Sequence, residues 1–389
     1  LKIVVLGGAG AMGQVIARDL AETAADLEIV IADFNQVKAK ELAASLGGGR
    51  VVGVFADITK QSQLVEVLTG AKVVINSTPY IFNVNVMEAA LQANCHYLDL
   101  GGLFHTTVKQ LELHKRFQDK ALLAVLGIGA APGMTNIMAA SAAADLDSID
   151  SIDIAVGCVD FVKQDHPLAP PYALDTILDE YTKEPMVFEN GKLAAKPAMS
   201  GEITIDFPKP VGQSNAILTL HSEVLTLPDS YKAKGVRNVT FRLGLPPEFH
   251  EKLKLLVDLG FGGVRPVQIA EGTFTPRKVL AKLIEQFPAK QVNPDDCEVV
   301  RVDVAGVKSG SKKLVRMEAT VFSDNKRHIS CGALDTGVPP SIVAQMIARG
   351  EIRATGALAP ELCVPTEAFF TELRKREIDV KKIADAVCV

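Results

Sequence analysis

The sequence predicts an α/β protein: a doubly wound parallel sheet, followed by an α+β domain with a mixed sheet. Three observations predict it. Gly8-Ala9-Gly10-Ala11-Met12-Gly13 spells G-x-G-x-x-G between an apolar strand and a helix. Six short apolar runs alternate with helical periods over the first 130 residues. Beyond the helix at 135–145 the pattern changes to longer strand-like alternation. At 389 residues the chain exceeds one typical core, and two or three domains are expected.

The first strand, 2–6, runs into the glycine motif. Gly8 allows a tight turn, Gly10 lets backbone approach a pyrophosphate, and Gly13 lets the helix at 11–24 pack on the sheet. Ala11 and Met12 open that helix, whose free N–H groups and dipole receive phosphate charge. This is the Rossmann fingerprint. The second strand, 27–32, ends at Asp33, twenty positions after Gly13. A carboxylate there binds both hydroxyls of the adenosine ribose and repels a 2′-phosphate. The reading is NAD over NADP, with Lys38 and Lys40 keeping NADP possible.

Strands at 51–55, 72–76, 96–99 and 122–125 alternate with helices at 36–46, 60–68, 82–93 and 106–120. Ligands gather at the carboxyl ends of such strands. The loops there assign further cofactor contacts to Asp57, Ser77, Thr78, Pro79, Gly101, Gly102 and Pro132. The stretch 121–144 has no charged residue, but Gly127, Gly129, Pro132 and Gly133 interrupt it. It reads as strand, loop and buried helix rather than a membrane span.

Strands are then expected at 149–157, 186–188, 202–207, 215–220, 237–243, 297–306 and 312–322, and helices at 173–181, 248–258 and 276–286. The tail reads as helices at 338–349, 366–374 and 379–386. This divides the chain into a dinucleotide-binding domain (1–138), an α+β domain (139–336) and a helical tail (337–389).

A net charge of −5 argues against nucleic acid or an anionic membrane as partner. The six cysteines, at 95, 158, 297, 331, 363 and 388, lack zinc-site spacing, and no metal is expected. The first residues already read as a strand rather than a leader peptide, so reduced thiols in a cytoplasm are expected.

Several further segments carry a resemblance. They are Asn76-Ser-Thr-Pro-Tyr-Ile-Phe-Asn83, Asp99-Leu-Gly-Gly102, Ala131-Pro-Gly-Met-Thr-Asn-Ile137, Thr176-Ile-Leu-Asp-Glu-Tyr181 and Phe241-Arg-Leu-Gly244. With the fingerprint, they make the chain resemble the saccharopine dehydrogenase family, including its lysine 6-dehydrogenase branch, nearly end to end. The resemblance implies a substrate-binding and dimerisation domain over 139–336, C-terminal helices (337–389) returning to the first domain, reversible oxidation of a carbon–nitrogen bond in an amino-acid substrate, and a homodimer.

Such chemistry requires the amine to lose a proton before hydride leaves, and a second proton transfer when the carbinolamine breaks down. Asp99, at the end of the fifth strand, is a candidate to orient a cofactor hydroxyl or relay a proton; a loop-capping carboxylate is the alternative. Tyr80 is a candidate wall of the nicotinamide site. His221 interrupts an apolar run beside Ser222 and Glu223, and is a candidate general base; helix capping by Ser222 is the plainer reading. Ser222 and Glu223 are candidate substrate contacts, and Arg242 is a candidate clamp for a substrate carboxylate. His105 is a lesser candidate, and Asp160, Asp165 and His166 lie in a proline-rich loop that suits a lid. The reading that follows is an NAD-preferring dehydrogenase of the saccharopine type. Lysine 6-dehydrogenase, a carboxyspermidine-type dehydrogenase and a non-catalytic NAD(P)H-binding protein remain alternatives.

Overall fold

The computed structural model describes residues 1–162, 168–287 and 293–384. Its first 144 residues alternate as expected: β1 (Lys2–Leu6), α1 (Ala11–Thr23), β2 (Glu28–Asp33), α2 (Gln36–Ser45), β3 (Val51–Phe55), α3 (Gln61–Leu68), β4 (Val73–Asn76), α4 (Asn83–Ala93), β5 (His96–Asp99), α5 (Leu103–Leu111), α6 (His114–Asp119), β6 (Leu123–Val125) and α7 (Met134–Ala144). The strands pair in parallel in the order β3-β2-β1-β4-β5-β6. Val4 and Leu6 pack on one side of the sheet, Ile3 and Val5 on the other, so both faces of these short apolar strands are covered. The single helix expected at 106–120 is two, because Gln110 is drawn inward to Asp99 and the chain turns at 112–113 before continuing.

The second half contains β7 (Ser148–Asp160), α8 (Leu174–Thr182), β8 (Met186–Glu189), β9 (Lys192–Ala195), β10 (Ile203–Asp206), β11 (Gln213–Leu218), α9 (Glu223–Ser230), β12 (Asn238–Gly244), α10 (Pro247–Asp258), β13 (Val267–Ile269), β14 (Gly272–Phe274), α11 (Pro276–Ile284), β15 (Asp296–Lys308) and β16 (Ser311–Phe322). The main sheet is mixed: β12 and β7 are parallel, while β7, β15 and β16 are antiparallel. Residue alternation assigns its faces. Phe241, Ile154, Val156, Val300 and Val302 point into the main core, while Ala155 and Val299 pack with Phe207 on the opposite side.

The chain then crosses back through α12 (Cys331–Ala348), β17 (Gly356–Leu358), α13 (Thr366–Arg374) and β18 (Val380–Ala384). α12 begins seven residues before the expected 338, with Pro339 and Pro340 inside it. It packs on α1, where a side chain on Gly337 would meet Val15 Cβ at 2.7 Å. β17, β13, β14 and β9 are strands the sequence reading did not expect; β17 pairs with β6 as the seventh parallel strand. The helix expected at 379–386 is instead a strand over Val380–Ala384. The exposed edge of β16 supplies the pairing that decides it, and Lys382 reaches Ser141 O and Asp145. No helix among the described residues is long and apolar enough to cross a membrane.

Candidate active site

The fingerprint loop is built from backbone. Gly7, not Gly8, takes the left-handed conformation (φ +68°). Gly8 is needed for space instead, since a Cβ there would meet Ile31 Cγ2 at 2.8 Å and Val5 O at 2.9 Å. Gly13 is the most crowded of the three, with Gly7 O at 2.2 Å from a Cβ, so helix and loop touch backbone to backbone. Gly10 stands at the N-cap of α1, which has no side-chain cap and no acid in its first turn. Its N–H groups are therefore left for an anion. Asp33 accepts from Ala9 N (3.0 Å) and Asn35 N (2.8 Å), which holds its carboxylate against this loop. The exposed rings of Phe34 and Phe55 lie 5.6 Å apart at the ends of β2 and β3, where an adenine would need a flat apolar platform. These residues fit a dinucleotide.

The other cofactor-side candidates hold the frame. Ser77 Oγ donates to Leu6 O, and Thr78 donates through N and Oγ1 to Asn76 Oδ1. Pro79 opens a 3-10 turn over Tyr80–Phe82. Asp57 accepts both donors of Thr59 and closes its own turn. Asp99 is buried, and its carboxylate accepts from Tyr97 Oη, Gln110 Nε2, Gly101 N and Gly127 N. That occupancy leaves it no free oxygen for a cofactor hydroxyl or a proton relay, so it fastens three loops together. Pro132 fills the space between Gly101 (φ +128°) and Gly127 (φ +75°); a Cβ on either would meet its Cγ at 2.9 and 2.6 Å. Gln110 and Thr107 crowd Gly102 in the same way.

Pro132 leads into α7, and α7 carries the frame across to the second sheet. Thr135 Oγ1 donates to Glu223 Oε1 at 3.0 Å. Glu223 Oε2 lies 3.3 Å from His221 Nδ1, and Glu180 Oε1 lies 3.7 Å from Nε2. The imidazole stacks on Phe241, centroids 3.5 Å apart and 10° from parallel. Tyr172 Oη donates to the other oxygen of Glu180. Burial alone would push the His221 pKa down; the charge of Glu223 and hydrogen bonding to both carboxylates reverse this and raise it to about 9. His221 is thus held protonated near neutrality between two buried acids. Ser222 sits buried at the start of α9 without a side-chain cap bond.

Tyr80 reaches across the cleft. Its hydroxyl donates to Asp179 and accepts from Lys183 Nζ at 2.9 Å, and Arg277 Nη1 holds the other oxygen of Asp179 at 2.5 Å. Arg242 does not join His221. Strand alternation turns it to the opposite face of the sheet from Phe241, where it donates to Thr240 Oγ1 (2.8 Å) and Gly201 O. The carboxylate clamp expected at Arg242 is therefore not brought to the His221 side of the sheet. His105 is exposed, and Asp165 and His166 lie outside the described residues. Among the described residues no group of three His, Cys, Asp or Glu side chains is placed to hold a metal ion.

Residues 3–125 match the model of the saccharopine dehydrogenase NADP binding domain, and residues 129–378 that of the saccharopine dehydrogenase C-terminal domain. The chain belongs to the saccharopine dehydrogenase family. It is an NAD(P)-binding oxidoreductase acting on carbon–nitrogen bonds. The carboxyaminopropylagmatine dehydrogenase of Synechocystis sp. is 24% identical over 95% of this chain and 94% of its own length. The carboxynorspermidine synthase of Vibrio cholerae is 25% identical over 92% and 91%. The apo saccharopine dehydrogenase (L-Glu forming) of Saccharomyces cerevisiae shares the fold, with a TM-score of 0.77, 18% identity and coverage of 99% and 100%.

Within this family member the site contains residues that the sequence did not single out. Asp179 and Glu180 belong to α8 and Lys183 caps it; folding places Asp179 at Tyr80 and Glu180 at His221. Thr135 lay within a loop that was read for its glycines.

Proposed function

We propose that the protein oxidises, reversibly, the secondary amine of a carboxyalkylated polyamine, with His221 as the proton-transfer group. The observation that carries this is the charge balance of the cleft. His221 lies between Glu180 and Glu223, while Lys183 and Arg277 are both taken by Asp179. Around His221 itself two carboxylates face one cation, a local excess that suits a substrate with several ammonium groups. Saccharopine has three carboxylates and would call for several cations, whereas among the described residues Lys183 and Arg277 are held by Asp179 and Arg242 is on the far face. The names of the two curated relatives support the same class.

When bound, the nicotinamide takes or supplies the hydride. His221 handles the proton at the same carbon–nitrogen bond. In the oxidative direction its neutral form takes the ammonium proton, so that the nitrogen lone pair can stabilise the developing iminium. In the reductive direction its protonated form, the resting state at neutral pH, donates. Thr135 and Tyr172 fix the two carboxylates that hold the ring. Tyr80, through Asp179 and Lys183, ties the cofactor half to the C-terminal end of α8. Asp33, beside the fingerprint loop, favours NAD. The expected assembly is a cytoplasmic homodimer, which light scattering tests.

The assay follows nicotinamide absorbance with carboxynorspermidine, saccharopine or lysine as donor. Turnover of carboxynorspermidine well above the other two supports the reading. Preferential turnover of saccharopine, or of lysine with ammonia release, replaces it with that activity.

A further inference from the structure

A second group of acids lies on the same face of the second sheet as His221. Glu298 and Asp296 are on β15, and Asp335 is on α12 above them. Asp335 is fully buried, and no donor meets either carboxylate oxygen with hydrogen-bonding geometry. Glu298 is close enough to share a proton with it. Burial pushes both carboxyl groups upward, helped at Asp335 by the charge of Glu298 and at Glu298 by that of Asp296, and among the described residues no Lys, Arg or His contributes to either. Asp296 is partly satisfied by Cys331 N at 2.8 Å. A buried acid pair with only the Thr336 hydroxyl beside it and no cation is costly, and a cationic ligand would offset that cost.

The position is informative. Thr336, next to Asp335, has its Cγ2 3.3 Å from where Gly129 would carry a Cβ, and Gly337 lies against α1. This turn of α12 therefore sits between the fingerprint helix, the 129–133 loop and the second sheet. A line of side chains joins the two acid groups: Tyr172 holds Glu180 and lies within electrostatic reach of Cys158, which is the strand partner of Glu298. Register gives the span. Ile154 is the neighbour of Phe241, and Cys158, four residues further on, is the neighbour of Glu298. That is ~13 Å along the strands and ~10 Å across them. Side chains pointing toward one another shorten this span into the range of a chain of several methylene groups and beyond that of a one-nitrogen amine.

We propose that Asp335 and Glu298, with Asp296 beside them, anchor a second cationic nitrogen of the substrate, a primary ammonium or guanidinium at the far end of its methylene chain. This rests on the reading of the substrate as a polyamine derivative, and it assigns the selection for substrate length to α12 and β15. His221 serves the reacting nitrogen; Asp335 serves the distant one.

Titration calorimetry on the full-length protein with propylamine, 1,3-diaminopropane and norspermidine tests the anchor without turnover. Norspermidine should bind the unmutated protein at least tenfold more tightly than propylamine. Asp335→Asn and Glu298→Gln should each remove about tenfold or more of the norspermidine affinity and leave propylamine unchanged. Equal losses for all three amines, or none, would overturn the anchor while leaving carbon–nitrogen oxidation intact. If carboxynorspermidine is not a substrate yet norspermidine binding still depends on Asp335, the functional reading fails and the anchor stands. Should Asp335→Asn fail to fold, Glu298→Gln and the amine series on the unmutated protein still decide the matter.

Discussion

Two groups of carboxylates lie against the same face of the second sheet, and they are completed differently. Glu180 and Glu223 enclose a protonated imidazole, and their remaining oxygens are met by Tyr172 and Thr135. Asp335 and Glu298 face each other, with the Thr336 hydroxyl beside Asp335 and, among the described residues, no cation against either. The first group carries its own cation, and releasing its proton leaves two carboxylates facing a neutral ring. The second carries no cation of its own. Like chemistry thus supports different tasks, and the difference lies in what each acid was left to find.

The comparison breaks most severely if the cation of the first group is removed. His221→Gln leaves two uncompensated acids. It should cost about 3–5 kcal/mol of stability by thermal unfolding and lower kcat by about 10²–10⁴. The pH profile supplies the sign. With a pKa raised to about 9, His221 is neutral only above that value, so the unmutated enzyme's oxidative rate should climb with pH up to about 9. The same elevation stabilises the fold fully below an unfolded pKa near ~6.5 and is lost as pH rises through about 9. The variant should show neither limb.

Asp99 sharpens the contrast with a carboxylate satisfied by donors rather than by a cation. Asp99→Asn exchanges an acceptor for a donor among four donors, and should destabilise by about 1–3 kcal/mol. Dinucleotide affinity, read by fluorescence titration, should weaken because the loops at Gly101 and Gly127 lose their common fastening. A smaller effect is expected at the clasp. Tyr80→Phe leaves Asp179 paired with Arg277 and Lys183 and should cost about 1 kcal/mol. KM should rise severalfold while nicotinamide binding is unchanged.

The cofactor half was legible from sequence because its requirements are local. Gly8, Gly10 and Gly13 stand within one turn, and Asp33 follows one strand later. Even there the left-handed residue proved to be Gly7, since a motif marks where small residues are needed and not which one bends. The substrate half was less legible because its residues meet only through the second sheet. His221 and Glu223 were singled out together, being two apart; Glu180 was not, being 41 positions away. A single step of strand alternation, which no isolated segment discloses, sets Arg242 on the other face from His221. Asp335 did leave a signal. It is the only charged residue in the 18-residue helix Cys331–Ala348, but starting that helix at its prolines hid it.

The most direct test of the division between the two acid groups is a kcat and KM comparison of Asp335→Asn and His221→Gln in oxidation of carboxynorspermidine. Loss of the anchor should raise KM at least about tenfold with kcat nearly unchanged, and loss of the imidazole should lower kcat and flatten the pH profile. If Asp335→Asn lowers kcat with KM unchanged, or alters the pH profile as His221→Gln does, the two groups are one catalytic unit and the division is wrong.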